Sequence, residues 1–536
     1  MDKILSTDIL FQLILSCAET EIVSLCIIGG GVSGLTAAIT TMEQIQEQKT
    51  DNVLTTVSSS KVMLLEKSTT LGGRVKSDTT PDGYTLDRGF AVFIEEYPFS
   101  KKIFDYDALK LGKFLPGSLV KLRDGNTSKK SESEDEYDPL CKLADPLRVP
   151  SDLIPSLLTP LGTTFDKIRV LPLLFNVLTN SIEELFEQEE TDTLTCLKYR
   201  YGFSNKFIEE FFTPFLEGIY LCSLQEQSSR MFHFIFKMFA EGSATLPQGG
   251  IGKMFLFTYQ ENMYDIIINL FTLYDFDTGK IVEQLATKAE NLGVKIQVHK
   301  EVLSVTVPES NGKNCYYEIR TSDSTCIKSK SVILATDSQV TQKILSSFPG
   351  FEYLTAVPEQ IQRSVGNIYY GFNTSLPCSD PILILNGAER APVDMYPINN
   401  VCFPSVVTSG YAPEGYHLCS VTLLEPALTK FEENNLNMEE IDDIVRHQLQ
   451  SWFPKFAKDI ETKWEMKGMY KIPNAQPGQL RGDIPASVNG GRNCTIYRGK
   501  MLPEGLFLCG DHMSTASLNG ALESAVNAGQ EAAKFI

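Results

Sequence analysis

The chain has 536 residues, 43% of them hydrophobic, enough for two or more substantial domains with buried cores. A formal net charge of −19 argues against nucleic acid and strongly anionic membrane surfaces as partners, an expectation that only a local basic patch would reverse. Twelve cysteines are scattered without a C-x-x-C pair or ligand-like spacing to the five histidines, so neither a zinc site nor a disulfide framework is indicated.

Residues 1–21 read as an N-terminal extension. The apolar core Ile9–Leu15 is short, and Asp2, Asp8, Glu19 and Glu21 argue against an organelle transit peptide. No run reaches ~18 apolar residues, so no transmembrane helix is expected, while peripheral contact with a membrane stays open. The cysteine usage suits a reducing intracellular compartment, cytoplasm or plastid.

The apolar run Ile22–Ile28 reads as a strand, and Val32 onward carries apolar and small residues at helical spacing. Between them Gly29, Gly31 and Gly34 fill the pattern G-x-G-x-x-G. The first permits a sharp turn, the second lets backbone approach a pyrophosphate, and the third lets helix pack on strand. Such a turn also serves as a plain connector, so the next strand matters. That strand is Lys61–Lys67, with Glu66 at its end, where an acidic side chain would accept hydrogen bonds from an adenosine ribose; a surface glutamate is the alternative. Glu66 comes later than the usual ~20 residues after the glycines, and the polar segment Glu47–Ser60 reads as the insertion that delays it. A carboxylate there disfavours a 2′-phosphate, which leaves FAD or NAD.

Gly72-Gly73-Arg74 follows, offering close backbone approach and a charged fork for a phosphate or carbonyl, or merely a surface arginine. Asp87-Arg88-Gly89 sits at a turn between β-like runs. Ser128–Asp138 is a solvated acidic loop. The stretches "FIEEFFTPFLEGIYL" and "MFHFIFKMFAEG" are helical and aromatic, compatible with core packing or with an apolar ligand cavity. Gly249-Gly250 of "LPQGG" falls at the boundary with that cavity. Lys253–Gly279 is flanked by a repeated Gly-Lys pair, and its excision leaves a smoother sequence; it reads as an insertion, such as a retained intron, or as a helix over the substrate cavity. Ile281–Leu292 has helical spacing, and Ser331–Thr336 suits a buried parallel strand.

At the C-terminus an apolar strand, Leu506–Cys509, precedes Gly510-Asp511, a polar loop and a helix from about Gly520. A carboxylate here can hold the hydroxyls of a ribityl chain. The helix N-terminus can face the edge of a flavin, where negative charge develops when N5 accepts a hydride. NAD needs no such second pole, so the pair of motifs points to FAD.

Gly29–Gly34, Glu66, Gly72-Gly73-Arg74, "VILAT" and "GDHMSTASLNGALESA" together resemble the flavin amine oxidase superfamily, which includes monoamine and polyamine oxidases, protoporphyrinogen oxidase, and phytoene desaturases with carotenoid isomerases. The likeness frames the chain from about Ile22 to its end. It implies that Gly29, Gly31, Gly34, Glu66, Arg74, Gly510, Asp511 and Gly520 contact FAD. The chain departs from the family at Ser524-Ala525, where many members have Ser-Gly. "DRGFAVFIEEYP", "FFTPFLEGIYLCSLQEQSSRMF" and "LPQGG" look more like the phytoene desaturase and carotenoid isomerase branch, which implies a small apolar substrate of polyene or isoprenoid type. Amine or protoporphyrinogen oxidation, redox-neutral polyene isomerisation or hydration, and a non-catalytic isoprenoid-binding protein stand as alternatives. The "HMSTAS" loop lacks the cysteine that covalently flavinylated monoamine oxidases carry there, so FAD is expected to be noncovalent.

The expected architecture is α/β: a Rossmann-like FAD-binding domain built from the discontinuous segments 22–100, 281–345 and 495–536, with an inserted α+β substrate-binding domain, 101–280 and 346–494. No catalytic residue, metal site or oligomeric state can be assigned from the residues.

Overall fold

The computed structural model describes residues 20–51, 61–89, 92–123, 140–144, 148–149, 151, 153–252, 281–307, 316–388, 390–484 and 493–536. The insertion read at Lys253–Gly279, the acidic loop Ser128–Asp138 and most of the N-terminal extension lie outside them. Two compact units form, one from Met1–Gly73, Leu285–Gln360 and Gly490–Ile536, the other from Arg74–Gln284 and Ile361–Asn489. The chain first changes unit after Gly73, whereas the sequence reading placed that change at residue 100. The reason is that the hairpin Ser77–Thr79 and Thr85–Asp87 directs its side chains to partners in the second unit, Ile251 and Tyr411 among them.

In the first unit the chain forms β1 (Thr20–Ile28), α1 (Val32–Asp51), β2 (Val62–Leu65), β3 (Lys295–Gln297), β4 (Val302–Thr306), β5 (Tyr317–Thr321), β6 (Cys326–Leu334), β7 (Leu506–Leu508) and α2 (Leu518–Phe535). The sheet runs β3-β2-β1-β6, with β7 and β5 both pairing β6 and β4 beyond β5. β3, β2, β1, β6 and β7 are parallel; β5 and β4 are antiparallel. Cys26, Ile27, Met63, Leu64, Ile333 and Leu334 are fully buried, the pattern of parallel strands covered on both faces. Register then aligns the strand ends: Ile28 lies opposite Leu65 and Leu334, and Leu334 opposite Leu508. The turns after β2, β1, β6 and β7 therefore share one edge. α1 and α2 pack closely because small residues meet: the Thr41 hydroxyl donates to Gly529 O at 3.1 Å, and a Cβ on Gly529 would come within 2.8 Å of Ala37 O. This is a Rossmann-like α/β unit assembled from three chain segments.

The second unit is α+β. Its seven-stranded sheet runs Glu465–Pro477, Gln362–Phe372, His417–Leu424, Ile398–Cys402, Leu383–Asn386, Gly117–Lys121, Leu140–Ala144, antiparallel except where Leu383–Asn386 meets Gly117–Lys121. Ile368, Tyr370 and Phe372 alternate onto the face covered by the helix Met438–Trp452, and the Phe372 and Trp464 rings stack at 4.3 Å. The aromatic stripes that the sequence left open divide: Phe207, Phe212, Phe232 and Phe234 are core, whereas Phe211, Phe215, Phe236 and Phe239 are half-buried. Phe207, Phe212 and Phe232 are fully buried, and Phe212 packs its ring 4.8 Å from Phe203 and 5.4 Å from Phe207.

Candidate functional site

At the end of β1 the three glycines have separable jobs. Gly29 takes φ +113°, donates its N–H to Leu65 O at 2.8 Å, and leaves no room for a side chain, since a Cβ would lie 2.6 Å from Ala335 O. Gly34 seats the first turn of α1 directly on this loop; a Cβ there would lie 1.9 Å from Gly29 O. Gly31 differs. Its Cβ would find nothing nearer than Gly72 O at 3.9 Å and Gly73 Cα at 4.0 Å. Among the described residues no atom demands glycine at Gly31, and the space it leaves is a cradle beside the first N–H groups of α1. Those groups have no acceptor within the helix, carry the positive end of its dipole, and have no acidic residue in the first turn to repel an anion. The cradle therefore fits a phosphate.

Glu66, just beyond β2, is 7% exposed. Its Oε2 accepts the Gly30 N–H at 2.7 Å and its Oε1 the Ser68 N–H at 2.8 Å. The carboxylate thus locks the glycine loop, a second role that the sequence did not reveal. Each oxygen keeps a further lone pair for a hydroxyl.

At the end of β7, Gly510 adopts φ +142°, and a Cβ on it would strike the His512 ring at 2.6 Å. The Ser524 hydroxyl accepts the Gly510 N–H at 3.0 Å and donates to Gly510 O at 2.9 Å, holding the turn from both sides. Asp511 follows, 7% exposed. α2 begins at Leu518, two residues earlier than the sequence suggested, because Ser517 caps it by accepting the Gly520 N–H at 3.1 Å. A Cβ on Gly520 would lie 2.1 Å from Thr515 O, so this glycine lets the loop fold back on the helix. The Ser33 hydroxyl donates to Ala521 O at 3.2 Å and ties the start of α1 to the start of α2. Ser524 was noted in the sequence only as part of a departure from the family. The signal that could have found it is a hydroxyl on an otherwise alanine-rich helix face, three residues after Ala521.

Gly29, Gly31, Gly34, Glu66, Gly510, Asp511 and Gly520 therefore gather along one sheet edge of the first unit. Arg74 does not belong to that unit; it opens the second, where its exposed side chain donates to Ala475 O at 3.3 Å.

The "LPQGG" loop packs against the hairpin of its own unit. Gly250 takes φ +99°, and a Cβ there would approach Thr85 to 2.6 Å and Asp87 Oδ1 to 3.1 Å. Asp87 is 4% exposed and accepts from Ile251 N–H at 3.0 Å, the Tyr411 hydroxyl at 2.6 Å and the Ser77 hydroxyl, while the Tyr369 hydroxyl donates to its backbone oxygen at 2.8 Å. Burial pushes the Asp87 carboxyl above its ordinary value of 3.8, outweighing donors that act in the opposite direction. Gly250 thus seats a buried carboxyl group within the second unit, while Gln248 of the same loop lines a cavity with Tyr106, Thr408 and Ser409.

Residues 32–536 match the family of flavin-containing amine oxidoreductases. Among solved structures the chain is similar to an oxidoreductase from Methanosarcina mazei, with 16% identity and a TM-score of 0.60, covering 94% of this chain and 98% of that one. It is also similar to reduced UDP-galactopyranose mutase, at 12% identity and TM-score 0.57 over 95% and 94%. Cyclohexylamine oxidase from Brevibacterium oxydans shares 13% identity at TM-score 0.55 over 96% and 98%. At these identities the likeness speaks for the fold. No curated protein matches. The fold, the paired glycine turns on one sheet edge and the match over almost the whole length agree, and the chain belongs to the flavin-containing amine oxidoreductase family as a flavin-dependent oxidoreductase.

Proposed function

We propose that the flavin is FAD, held noncovalently, and that the protein oxidises an apolar substrate of polyene or isoprenoid type by hydride transfer. The observation that carries the FAD reading is the pairing, on one sheet edge, of an open glycine cradle beside Glu66 with a second turn, Gly510-Asp511, at the start of α2. From β2 to β7 there are three inter-strand steps, about 14 Å at the usual strand spacing, a separation that a dinucleotide bridges.

When bound, FAD supplies a two-electron acceptor. The α1 N–H groups beside Gly31 would receive the pyrophosphate. Glu66, while holding Gly30, would accept from ribose hydroxyls, and Asp511 would accept from the ribityl chain. The N-terminus of α2 presents positive potential where negative charge accumulates on reduction. Gly510–Gly520 contains no cysteine, and the neighbouring Cys509 is fully buried, with burial pushing its thiol far above the ordinary range; both favour noncovalent binding. The substrate class rests on the resemblance of "DRGFAVFIEEYP" and "LPQGG" to the polyene branch, and positioning of an apolar molecule against the ring would be the main contribution of the second unit.

Two measurements test this reading. Heat denaturation of the purified yellow protein should release intact FAD; a folded, FAD-supplemented preparation without flavin would favour a binding protein. Under anaerobic conditions polyenes or isoprenoids should bleach the flavin and amines should not. Bleaching by amines, with hydrogen peroxide formed in air, would replace the substrate assignment with amine oxidation.

A further inference from the structure

The helix Thr164–Thr179 of the second unit is apolar around most of its circumference. It starts cleanly, because Thr163 and Asp166 cap one another reciprocally. Leu173, Leu174 and Val177 point inward and are buried. Phe165 and Phe175 point outward, each 71% exposed, with Ile168 and Leu171 at 51% and Leu178 at 41%. At about 100° per residue these five cover roughly 140° of the helix surface. The preceding turn adds Ile154 and Leu158, 67% and 79% exposed, and Lys167 fixes that turn alongside by donating to Leu157 O at 3.1 Å and Thr159 O at 2.5 Å. Single exposed apolar side chains need no explanation; a contiguous stripe of this size on a helix whose other face is already core does.

Charge identifies what covers it. Within residues 153–182 the lone carboxylate is Asp166, which is fully buried, so the stripe itself carries no exposed acid; exposed Glu183 and Glu184 begin the next helix beyond its C-terminal end. Cations border its length, two of them close to carboxylates: Arg169 lies 3.6 Å from Asp166 and Lys206 3.7 Å from Glu210. Arg169 stands beside Gly202, whose Cβ would lie 3.4 Å from its Nε, and Lys206 donates to Pro160 O at 2.9 Å. Lys198, Tyr199 and Arg200 are exposed on the adjoining turn, Tyr199 at 76%. An apolar stripe rimmed by cations and an aromatic hydroxyl is the composition of a helix that lies in a membrane interface. Among the described residues no helix is long and apolar enough to cross a membrane.

We infer that this face docks on an anionic lipid bilayer, with the stripe at the acyl boundary and Arg169, Lys198, Arg200 and Lys206 among the headgroup phosphates. A second copy joined through the same face would set these cations against themselves, which disfavours a symmetric dimer. The local patch reverses, for this face alone, what the net charge implies.

Flotation of the purified flavoprotein with phosphatidylcholine vesicles, with and without phosphatidylserine, tests the inference. The protein should float with the anionic vesicles, less with neutral ones, and less again at high salt. Phe165→Glu with Phe175→Glu should lower partitioning about ten-fold or more while flavin content and melting temperature hold, because both rings are mostly solvent-exposed. Arg169→Glu with Arg200→Glu should weaken binding to anionic vesicles only. Phe175→Trp gives an independent reading: Trp452 and Trp464 are buried, so a blue shift on adding anionic vesicles reports the new side chain. Wild-type protein that stays in solution, flotation indifferent to the phenylalanine changes, or an unshifted Phe175→Trp spectrum would each overturn the proposal. A dimer in solution that the phenylalanine changes dissociate would do so too, assigning the face to a second copy.

Discussion

Two glycine-rich loops, Gly29–Gly34 in the first unit and Gly249–Gly252 in the second, look alike in sequence, and the sequence places both the first and Gly249-Gly250 of the second beside a ligand. They differ in where a side chain would go. At Gly31 the way is open to 3.9 Å, and the adjoining helix N–H groups have no partner within the helix. At Gly250 the Cβ would meet Thr85, Ser77 and Asp87 within 3.1 Å, and at Gly252 it would lie 2.3 Å from Lys76 Cα. The second loop directs its N–H groups inward, Ile251 to Asp87 and Gly252 to the Ser77 hydroxyl at 2.8 Å. Glycine marks a close approach. Whether protein or ligand makes that approach is decided by what already occupies the missing side chain's place.

The sharpest separation of the two loops comes from enlarging one glycine in each. Gly250→Val places a branched side chain at positive φ against three neighbours, and should cost about 3 kcal/mol or more, read as a lowered urea midpoint or loss of soluble protein. An unchanged midpoint would mean that the loop is not the seat of Asp87. Gly31→Ala, by contrast, should leave the melting temperature of the flavin-free protein nearly unchanged while weakening flavin about ten- to hundred-fold, since the methyl group fills the cradle and not the protein. Titration of apoprotein with FAD measures this, and unaltered affinity would reduce the N-terminal turn to a connector.

These contrasts show what could be read in advance. Strand, turn and helix around Gly29–Gly34 and around Gly510 were legible because hydrophobic period and glycine spacing are local signals, and β1, β2, β6 and β7 follow from them. What was hidden depends on register between distant segments. The Glu66 bond to Gly30 spans 36 positions, and the Ser33 bond to Ala521 spans 488. The crossing at Gly73 was hidden because the partners of Asp87 lie near residues 251 and 411. The aromatic stripes could not be divided in sequence between core and cavity, since an inward-facing ring gives the same pattern in either. The helix Thr164–Thr179 poses the reverse problem: its outward apolar residues have the composition of a core.

The C-terminal turn tests whether a hydroxyl can do for Gly510 what Glu66 does for Gly30. Ser524→Ala leaves the buried Gly510 N–H and carbonyl without that partner and should cost about 1–3 kcal/mol in chemical unfolding. Flavin affinity should fall less than in Gly31→Ala, because the change loosens the turn without filling a cradle. A neutral substitution would mean that β7 alone holds Gly510 in place.

The smallest effect expected lies in the pH dependence of the second loop. Burial raises the folded-state pKa of Asp87 above 3.8, so the folded protein binds this proton more tightly than the unfolded chain does. Its contribution to stability is fully present below pH 3.8 and is lost as pH rises from there through the folded pKa, at most about 1.4 kcal/mol per pH unit inside that window. Asp87→Asn removes the titration but keeps an oxygen for Ile251 N–H, and the Ser77 and Tyr411 hydroxyls can accept as well as donate. The melting temperature of the wild type minus that of Asp87→Asn should therefore decrease between acidic and neutral pH. A difference that stays constant would show that Asp87 titrates at its ordinary value, and that the "LPQGG" loop is as hospitable to charge as the cradle at Gly31.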